Sequence, residues 1–212
     1  MIALSTWAAF AVVAIGFVLS PGPNMAYIVS RSVTQGRLAG FISMFGVAWG
    51  YVFYMLCAAF GLTAILLAVP YGYEAIQFAG AAYLLYLAWD ALKPGARSFL
   101  EVRDDLPMDG PRKLFFMGLL TNLLNPKIAV FYLSLLPQFV APARGGVFWQ
   151  CVILGLTHIV LNVAAHIGLV VAAGSISTWF RSRPEWLAIQ RRVMGGVLVA
   201  LAVRLAMDRR PA

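Results

Sequence analysis

The sequence predicts an all-α membrane protein in which residues 1–212 form a single domain of six transmembrane helices. Of the 212 residues, 62% are hydrophobic and only 11% are charged, whereas soluble domains are about half apolar and about a quarter charged. The charged residues are also segregated between long uncharged stretches, several of which reach the roughly 20 residues that cross a bilayer as a helix. Prolines inside two of these stretches predict that two of the helices are broken.

Apolar length, charges and helix breakers together place the six spans along the chain. The first is interrupted at Pro21 and Pro23 and the fourth at Pro126, because proline removes a backbone donor and clashes with the preceding turn. The first apolar stretch has neither a basic beginning nor a small-residue cleavage site, so it is predicted to be retained as a helix. In order, the spans lie near residues 3–35, 37–68, 70–92, 112–140, 147–178 and 186–207.

Basic residues predict the orientation of the chain, since they concentrate in the three odd-numbered loops. By the positive-inside rule these loops are cytoplasmic, and both termini face the opposite side of the membrane. Topology and contact with anionic lipid headgroups also account for the net charge of +8. No nucleic-acid partner is therefore expected.

A polar connection at residues 93–111 divides the chain into two halves, residues 1–92 and 112–208. The halves resemble each other weakly, since Ser20–Asn24 in the first is similar to Leu123–Lys127 in the second. Each half has an odd number of predicted spans, so the second copy enters the membrane from the other side. The sequence thus predicts two inverted three-helix repeats, each beginning with a proline-broken helix, as in many secondary transporters.

The two breaks predict a polar site, because irregular backbone in a membrane is tolerated only where protein or a water-filled cavity covers it. Asn24 and Asn125 offer donors and acceptors there, and Lys127 could hold a substrate carboxylate or serve as a fixed cation. The structural alternative is a simple bend at Pro21–Pro23, with asparagines that cap the following half-helices and a lysine that snorkels to the interface.

Lower-ranked candidates lie elsewhere in the spans. His158, Asn162 and His166 recur every four residues along the fifth span and so share one helix face. Such a stripe could line a cavity or transfer protons, whereas hydrogen bonding between helices is the structural alternative. Asn122 and Asp90 complete the lower-ranked set, although interfacial charge is the more ordinary role for Asp90.

Three motifs resemble the lysine/homoserine exporter (LysE/RhtB) family: Phe17–Asn24, Asn122–Lys127 and Leu135–Phe139. The resemblance covers nearly the whole chain and implies a multi-pass exporter in the bacterial inner membrane. In that membrane the termini, which the positive-inside rule places on the outer side, would be periplasmic. It implies that the exporter removes amino acids or similar small metabolites by using the proton gradient. It also maps the functional centre onto seven residues, namely Pro21, Gly22, Pro23, Asn24, Asn125, Pro126 and Lys127.

The preferred hypothesis is therefore a secondary active transporter that works by proton antiport and is not an enzyme. Half-helix N-termini would face the substrate carboxylate. The alternatives are a thiol-redox conduit that uses Cys57 and Cys151, or an ion or metal carrier on a similar inverted-repeat plan. No cofactor or metal is expected, because the cysteines and histidines lack ligand spacing. Gly46 and Gly50 form a GxxxG pattern that fits helix contacts within one subunit or between the subunits of a homodimer.

Overall fold

The computed structural model describes residues 2–20, 22–68 and 106–173 continuously, together with scattered positions between 78 and 93 and between 175 and 207. The elements in this part of the chain are helical, as the sequence predicts. Two of its helices are long and apolar enough to cross a membrane, or up to four spans are present if each bent pair is one span. Most of the predicted third and sixth spans, and Pro21 and Asp90, lie outside the described residues.

The first span is a bent pair of helices, which confirms the predicted interruption. Helix α1 covers Leu4–Leu19 and α2 covers Pro23–Gln35, with an angle of 51° between them. Proline starts α2 without cost, since the first amide of a helix has no partner in any case. The pair ends at Gly36, whose φ of 84° is strained for any residue with a side chain.

Helix α3 covers Arg37–Ala68, the same range as the second predicted span. It packs closely against α4, which covers Pro111–Leu123. A Cβ atom at Gly46 would overlap the backbone of Phe115, and one at Gly118 would overlap the backbone of Ser43. Within the described residues, the GxxxG pattern therefore serves contacts inside one chain, where glycine lets two helix backbones approach.

The second bent pair joins α4 to a shorter and irregular helical segment at an angle of 54°. Helix α5 covers Pro126–Val130, and a π-helical turn at Phe131–Leu135 and a 3₁₀ turn at Leu136–Phe139 continue it. The predicted break at Pro126 is thus confirmed. After a further 3₁₀ turn at Pro142–Arg144, α6 covers Val147–Val171.

Polar contacts bring three chain segments together at one end of the helices. The Arg31 guanidinium is 2.6 Å from the carboxylate of Asp109 and donates to the carbonyl oxygen of Pro107 at 3.0 Å, while Arg37 donates to the carbonyl oxygen of Val171 at 3.0 Å. The end of α2, the segment before α4 and the end of α6 therefore lie together. These three segments adjoin the first, third and fifth predicted loops, which the orientation prediction places on the same side of the membrane. Arg31 itself is buried in α2 rather than exposed in a loop.

Apolar side chains both fill the centre and cover the outside. The rings of Phe10, Phe17 and Phe131 pack together, with centroid distances of 5.8 Å and 4.9 Å to Phe131. Large exposed apolar side chains include Trp49, Phe53, Leu120, Trp149 and Val160. Soluble proteins rarely expose so much contiguous apolar surface, so these outer faces fit contact with lipid.

Candidate functional site

The two helix breaks lie against each other and are joined by Lys127. Its ammonium donates a hydrogen bond to the carbonyl oxygen of Ser20, the residue that follows α1. The same nitrogen lies 4.7 Å from the centroid of the Phe17 ring. Gly22 packs on the lysine stem, since a Cβ atom there would come within 3.3 Å of the lysine Cδ. The lysine therefore reaches into the protein and does not snorkel.

A cavity lies beside this contact, with room for about one water molecule in this conformation. Four of the residues predicted from the two breaks line it: Gly22, Asn24, Asn125 and Lys127. Asn162 and His166 of the lower-ranked set line it as well. The other lining residues are Phe17, Val18, Met25, Tyr51 and Ile128.

Pro23 and Pro126 shape the backbone on which the site is built. Each is the first residue of a helix, α2 and α5 respectively, and Pro23 does not line the cavity. Asn125 caps α5, since its side chain accepts a hydrogen bond from the Lys127 amide at 3.1 Å. This asparagine therefore has the capping role that the structural alternative predicts. The cap of α2 is instead Gly22, which has no side chain to offer.

A chain of buried hydrogen bonds crosses the cavity wall from α2 to α6. The side-chain amide of Asn24 donates to the Tyr51 hydroxyl at 3.1 Å, and that hydroxyl donates to Asn162 Oδ1 at 3.0 Å. Asn162 in turn donates to the carbonyl oxygen of His158 at 2.9 Å. The His166 ring lies nearly parallel to the Tyr51 ring, with centroids 6.3 Å apart. Three helices thus hold one another through polar groups at the level of the breaks.

Two cavity-lining polar atoms have no hydrogen-bond partner in the described structure. They are Oδ1 of Asn24 and Nδ1 of His166, and both side chains are buried. Buried polar groups are nearly always paired, so unpaired ones at a cavity indicate a place for a ligand. Asn24 Oδ1 can only accept, whereas His166 Nδ1 donates or accepts according to its tautomer.

His158 and Asn122 stand apart from the cavity. His158 stacks on Phe131 with centroids 3.7 Å apart, and its Nδ1 is 3.1 Å from the Tyr132 hydroxyl. Asn122 is buried against α3, where it fills the space that a side chain at Gly50 would need. Neither residue lines the cavity. The contacts of His158 fit packing and interhelical bonding, whereas both side-chain polar atoms of Asn122 lack a hydrogen-bond partner among the described residues.

Sequence reasoning missed Tyr51, which is fully buried and central to the hydrogen-bond chain. A tyrosine hydroxyl inside a membrane span needs a partner, and that signal could have pointed to Tyr51. Tyr54 lies in the same span, however, and the sequence does not show which ring faces the breaks. Neither Cys57 nor Cys151 lines the cavity, and both are free thiols.

The charge of the site is positive among the residues described around it. Lys127 supplies one ammonium, and the lining residues include no carboxylate. Asn24 and Met25 in the first turn of α2 also line the cavity, and no described side chain caps this helix, so its first-turn backbone amides lack a capping partner. Such amides attract carboxylates. The arrangement can bind a small molecule that carries both an anionic group and hydrogen-bond donors.

Comparison with known proteins agrees with this architecture. Residues 15–209 match the family described as LysE type translocator. The chain is 30% identical to an uncharacterized membrane protein of Pseudomonas aeruginosa, with 89% of each chain covered. It is 26% identical to the homoserine/homoserine lactone efflux protein of Salmonella typhimurium, over 96% of this chain and 97% of that one. No solved structure matches the chain significantly.

The family match covers both helix breaks and the cavity between them, and it agrees with the apolar outer faces of the helices. The protein is thus a multi-pass membrane translocator and not an enzyme. The chain belongs to the LysE type translocator family.

Proposed function

We propose that this protein is a secondary active transporter that exports amino acids or closely related small metabolites across the bacterial inner membrane. The observation that carries the proposal is the cavity between two broken helices, where buried polar atoms of Asn24 and His166 lack partners among the residues that the structure describes. Paired broken helices form the substrate site in many secondary transporters. The efflux activity in the name of the Salmonella typhimurium relative supports the same direction of transport.

The geometry suggests how a zwitterion would bind. Its carboxylate would face the uncapped first turn of α2, near the amides of Asn24 and Met25. A hydrogen-bond donor of the substrate would pair with Asn24 Oδ1, the unpaired acceptor. Because the cavity has room for only about one water molecule, the helices must separate before a substrate enters. The present conformation is therefore a closed one.

The charge of the site favours neutral amino acids over basic ones. A lysine or arginine substrate would bring a side-chain cation in addition to its α-ammonium close to Lys127, and the described lining residues offer no carboxylate to balance it. Two like charges about 4 Å apart repel by about 4 kcal/mol at an effective dielectric constant of 20. We therefore propose small neutral amino acids or their uncharged derivatives as the cargo.

The architecture that we propose has six spans in two inverted repeats, with periplasmic termini. The two bent pairs support it, since each joins two half-helices at a similar angle, 51° in the first pair and 54° in the second. Proton antiport is part of the same proposal. Lys127 and His166 are titratable groups that face the cavity, as a proton-coupled carrier requires.

Efflux from cells preloaded with a mixture of labelled amino acids, or uptake of the same mixture into inverted vesicles, tests the proposal. Wild type should lose one class selectively, and collapsing the proton gradient should abolish the loss. Asn24→Ala should abolish export while the protein still inserts, because it removes the unpaired acceptor and the first link of the hydrogen-bond chain. Asn125→Ala should do the same, since Asn125 lines the cavity and its side chain holds the Lys127 amide at the second break.

Cys57→Ala is the matched control, since this side chain is exposed on α3 and does not line the cavity. It should export like wild type. Wild-type export rates in both asparagine variants would show that the cavity between the two breaks is not the substrate site. Failure of the wild-type protein to export any amino acid would remove the proposed cargo.

A further inference from the structure

We propose that Lys127 is an internal substitute for the amino group of the cargo. Its side chain occupies the ammonium site of the empty carrier and is displaced when substrate binds. This inference rests on the proposed export function and goes beyond it. It assigns to Lys127 a role in the return of the empty carrier, rather than a role as an ordinary substrate ligand.

The first argument is the chemistry of the place where the ammonium lies. Its partners are the carbonyl oxygen of Ser20 and the face of the Phe17 ring, both at the C-terminal end of α1. Helix C-termini present unpaired carbonyl oxygens and a partial negative charge, and aromatic faces attract organic cations. A carbonyl oxygen and a ring together form a site for an alkylammonium ion. The amino group of an amino acid has the same chemistry as the lysine side chain.

The second argument is that the lysine crosses from one break to the other. Its backbone is fixed at the second break, because its amide donates to Asn125 Oδ1 at 3.1 Å. Its side chain passes Gly22 and ends on a carbonyl 107 residues earlier in the sequence. The absence of a side chain at Gly22 leaves the path open. The ammonium therefore ties the two broken helices together, and its release lets them separate.

The third argument is that dipoles, and not a full negative charge, hold the ammonium. The described residues around the cavity include no carboxylate that could pair with it. A substrate can therefore displace the lysine without breaking an ion pair, and its own carboxylate then offers the displaced ammonium a partner. After release of the cargo, the lysine returns to Ser20 and closes the cavity. The two ammonium groups thus alternate at one site.

Transport by the full-length protein in reconstituted vesicles distinguishes this role from ordinary substrate binding. Vesicles are loaded with labelled neutral amino acids and followed under two conditions. With an excess of unlabelled amino acids outside, exchange does not require the empty carrier to return. With none outside, net efflux requires that return in every cycle. Any labelled amino acid that the wild-type protein exchanges serves as the probe for the variants.

Lys127→Gln keeps most of the length and the hydrogen-bonding capacity of the side chain but removes its charge. It should keep exchange close to the wild-type rate and lower net efflux by about tenfold or more, the factor expected for loss of one charge-assisted hydrogen bond. Arg112→Gln is the matched control, because Arg112 is an exposed cation over an aromatic ring, 5.9 Å from the Phe116 centroid, outside the cavity. It should leave both rates unchanged.

Equal loss of exchange and net efflux in Lys127→Gln would overturn the inference, because it would make Lys127 an ordinary substrate ligand. Retention of both rates would overturn it as well. If this variant does not insert, Phe17→Leu decides, since it removes the aromatic face and keeps the site apolar. A selective fall in net efflux supports the inference, whereas an equal fall or no change overturns it. A wild-type protein that exchanges no amino acid overturns the proposed function and this inference together.

Discussion

Tyr51→Phe removes one oxygen atom from the cavity wall and with it two hydrogen bonds. The hydroxyl accepts from Asn24 at 3.1 Å and donates to Asn162 at 3.0 Å, and all three side chains are buried. The phenylalanine ring can keep the packing against His166. The change therefore tests the polar chain itself, because the volume of the side chain hardly alters.

The size of the effect follows from what each partner loses. Hydrogen bonds between membrane helices contribute about 0.6 kcal/mol on average and about 1.7 kcal/mol at most. Asn24 already has an unpaired Oδ1, so loss of its amide partner leaves the whole side-chain amide without a hydrogen bond in the described structure. We expect the upper part of the range, which gives a total of about 2–3 kcal/mol for the two bonds. If half of that positions Asn24 for substrate, KM should rise by a factor of about 5–12.

The assay is initial transport rate against substrate concentration in reconstituted vesicles, together with thermal unfolding in detergent. Tyr54→Phe is the matched control one turn further along α3. Its hydroxyl donates to the carbonyl oxygen of Leu123 at 2.7 Å, and its ring stacks on Tyr132 outside the cavity. Both variants should unfold at a lower temperature than wild type. Only Tyr51→Phe should show the rise in KM.

An unchanged KM in Tyr51→Phe, with a loss of stability equal to that of Tyr54→Phe, would refute this reasoning. Tyr51 would then hold the helices together without positioning Asn24 for the substrate. A fall in the maximal rate alone would also count against it, since positioning of a ligand group in the ground state acts on KM.

Two further predictions concern stability. Gly118→Ala should lower the free energy of unfolding by about 1–3 kcal/mol, because the new Cβ atom would overlap the backbone of Ser43. Gly61→Ala is the control and should raise it by up to about 1 kcal/mol, since the described residues leave open space there. Equal unfolding temperatures of the two variants would contradict the close approach of α3 and α4. The hydrogen bond from Lys113 and the nearby guanidinium of Arg31 lower the pKa of Asp109 below its ordinary 3.8 in the folded state. The ionised carboxylate therefore stabilises the fold above pH 3.8, and this contribution is lost as the pH falls below that value. Asp109→Asn should therefore flatten the acid limb of the unfolding profile in detergent, and an unaltered limb would disprove the contribution.

The helix breaks were predictable because proline and glycine act locally. The bend before Pro23 and the bend before Pro126 both lie where the sequence predicts them. The bounds of α3 were equally accessible, since Gly36 and the charge of Arg37 mark its beginning and apolar length sets its extent. Such features depend on a few neighbouring residues and on the thickness of the bilayer.

Features that depend on which helix faces meet were not predictable. Asn24 and Asn125 occupy similar positions in the two motifs, yet one bonds to Tyr51 and the other caps its own half-helix. The polar residues that share one face of α6 also differ in their contacts. Asn162 and His166 line the cavity, whereas His158 stacks against an aromatic ring. Periodicity identifies a shared face, but the neighbouring helices decide what each residue on it contacts.

The buried position of Arg31 has a consequence for the synthesis of the protein. Apart from Gln35 on the same helix, its partners come from later in the chain: Pro107 and Asp109 lie in the polar connection, and Met117 lies in α4. A guanidinium without partners is costly inside a bilayer, so while the first half emerges from the ribosome Arg31 has to remain near the lipid headgroups or water. The end of α2 can settle only after Asp109 has been made. A separately expressed first half would carry an uncompensated cation, and the two halves are therefore expected to mature as one unit.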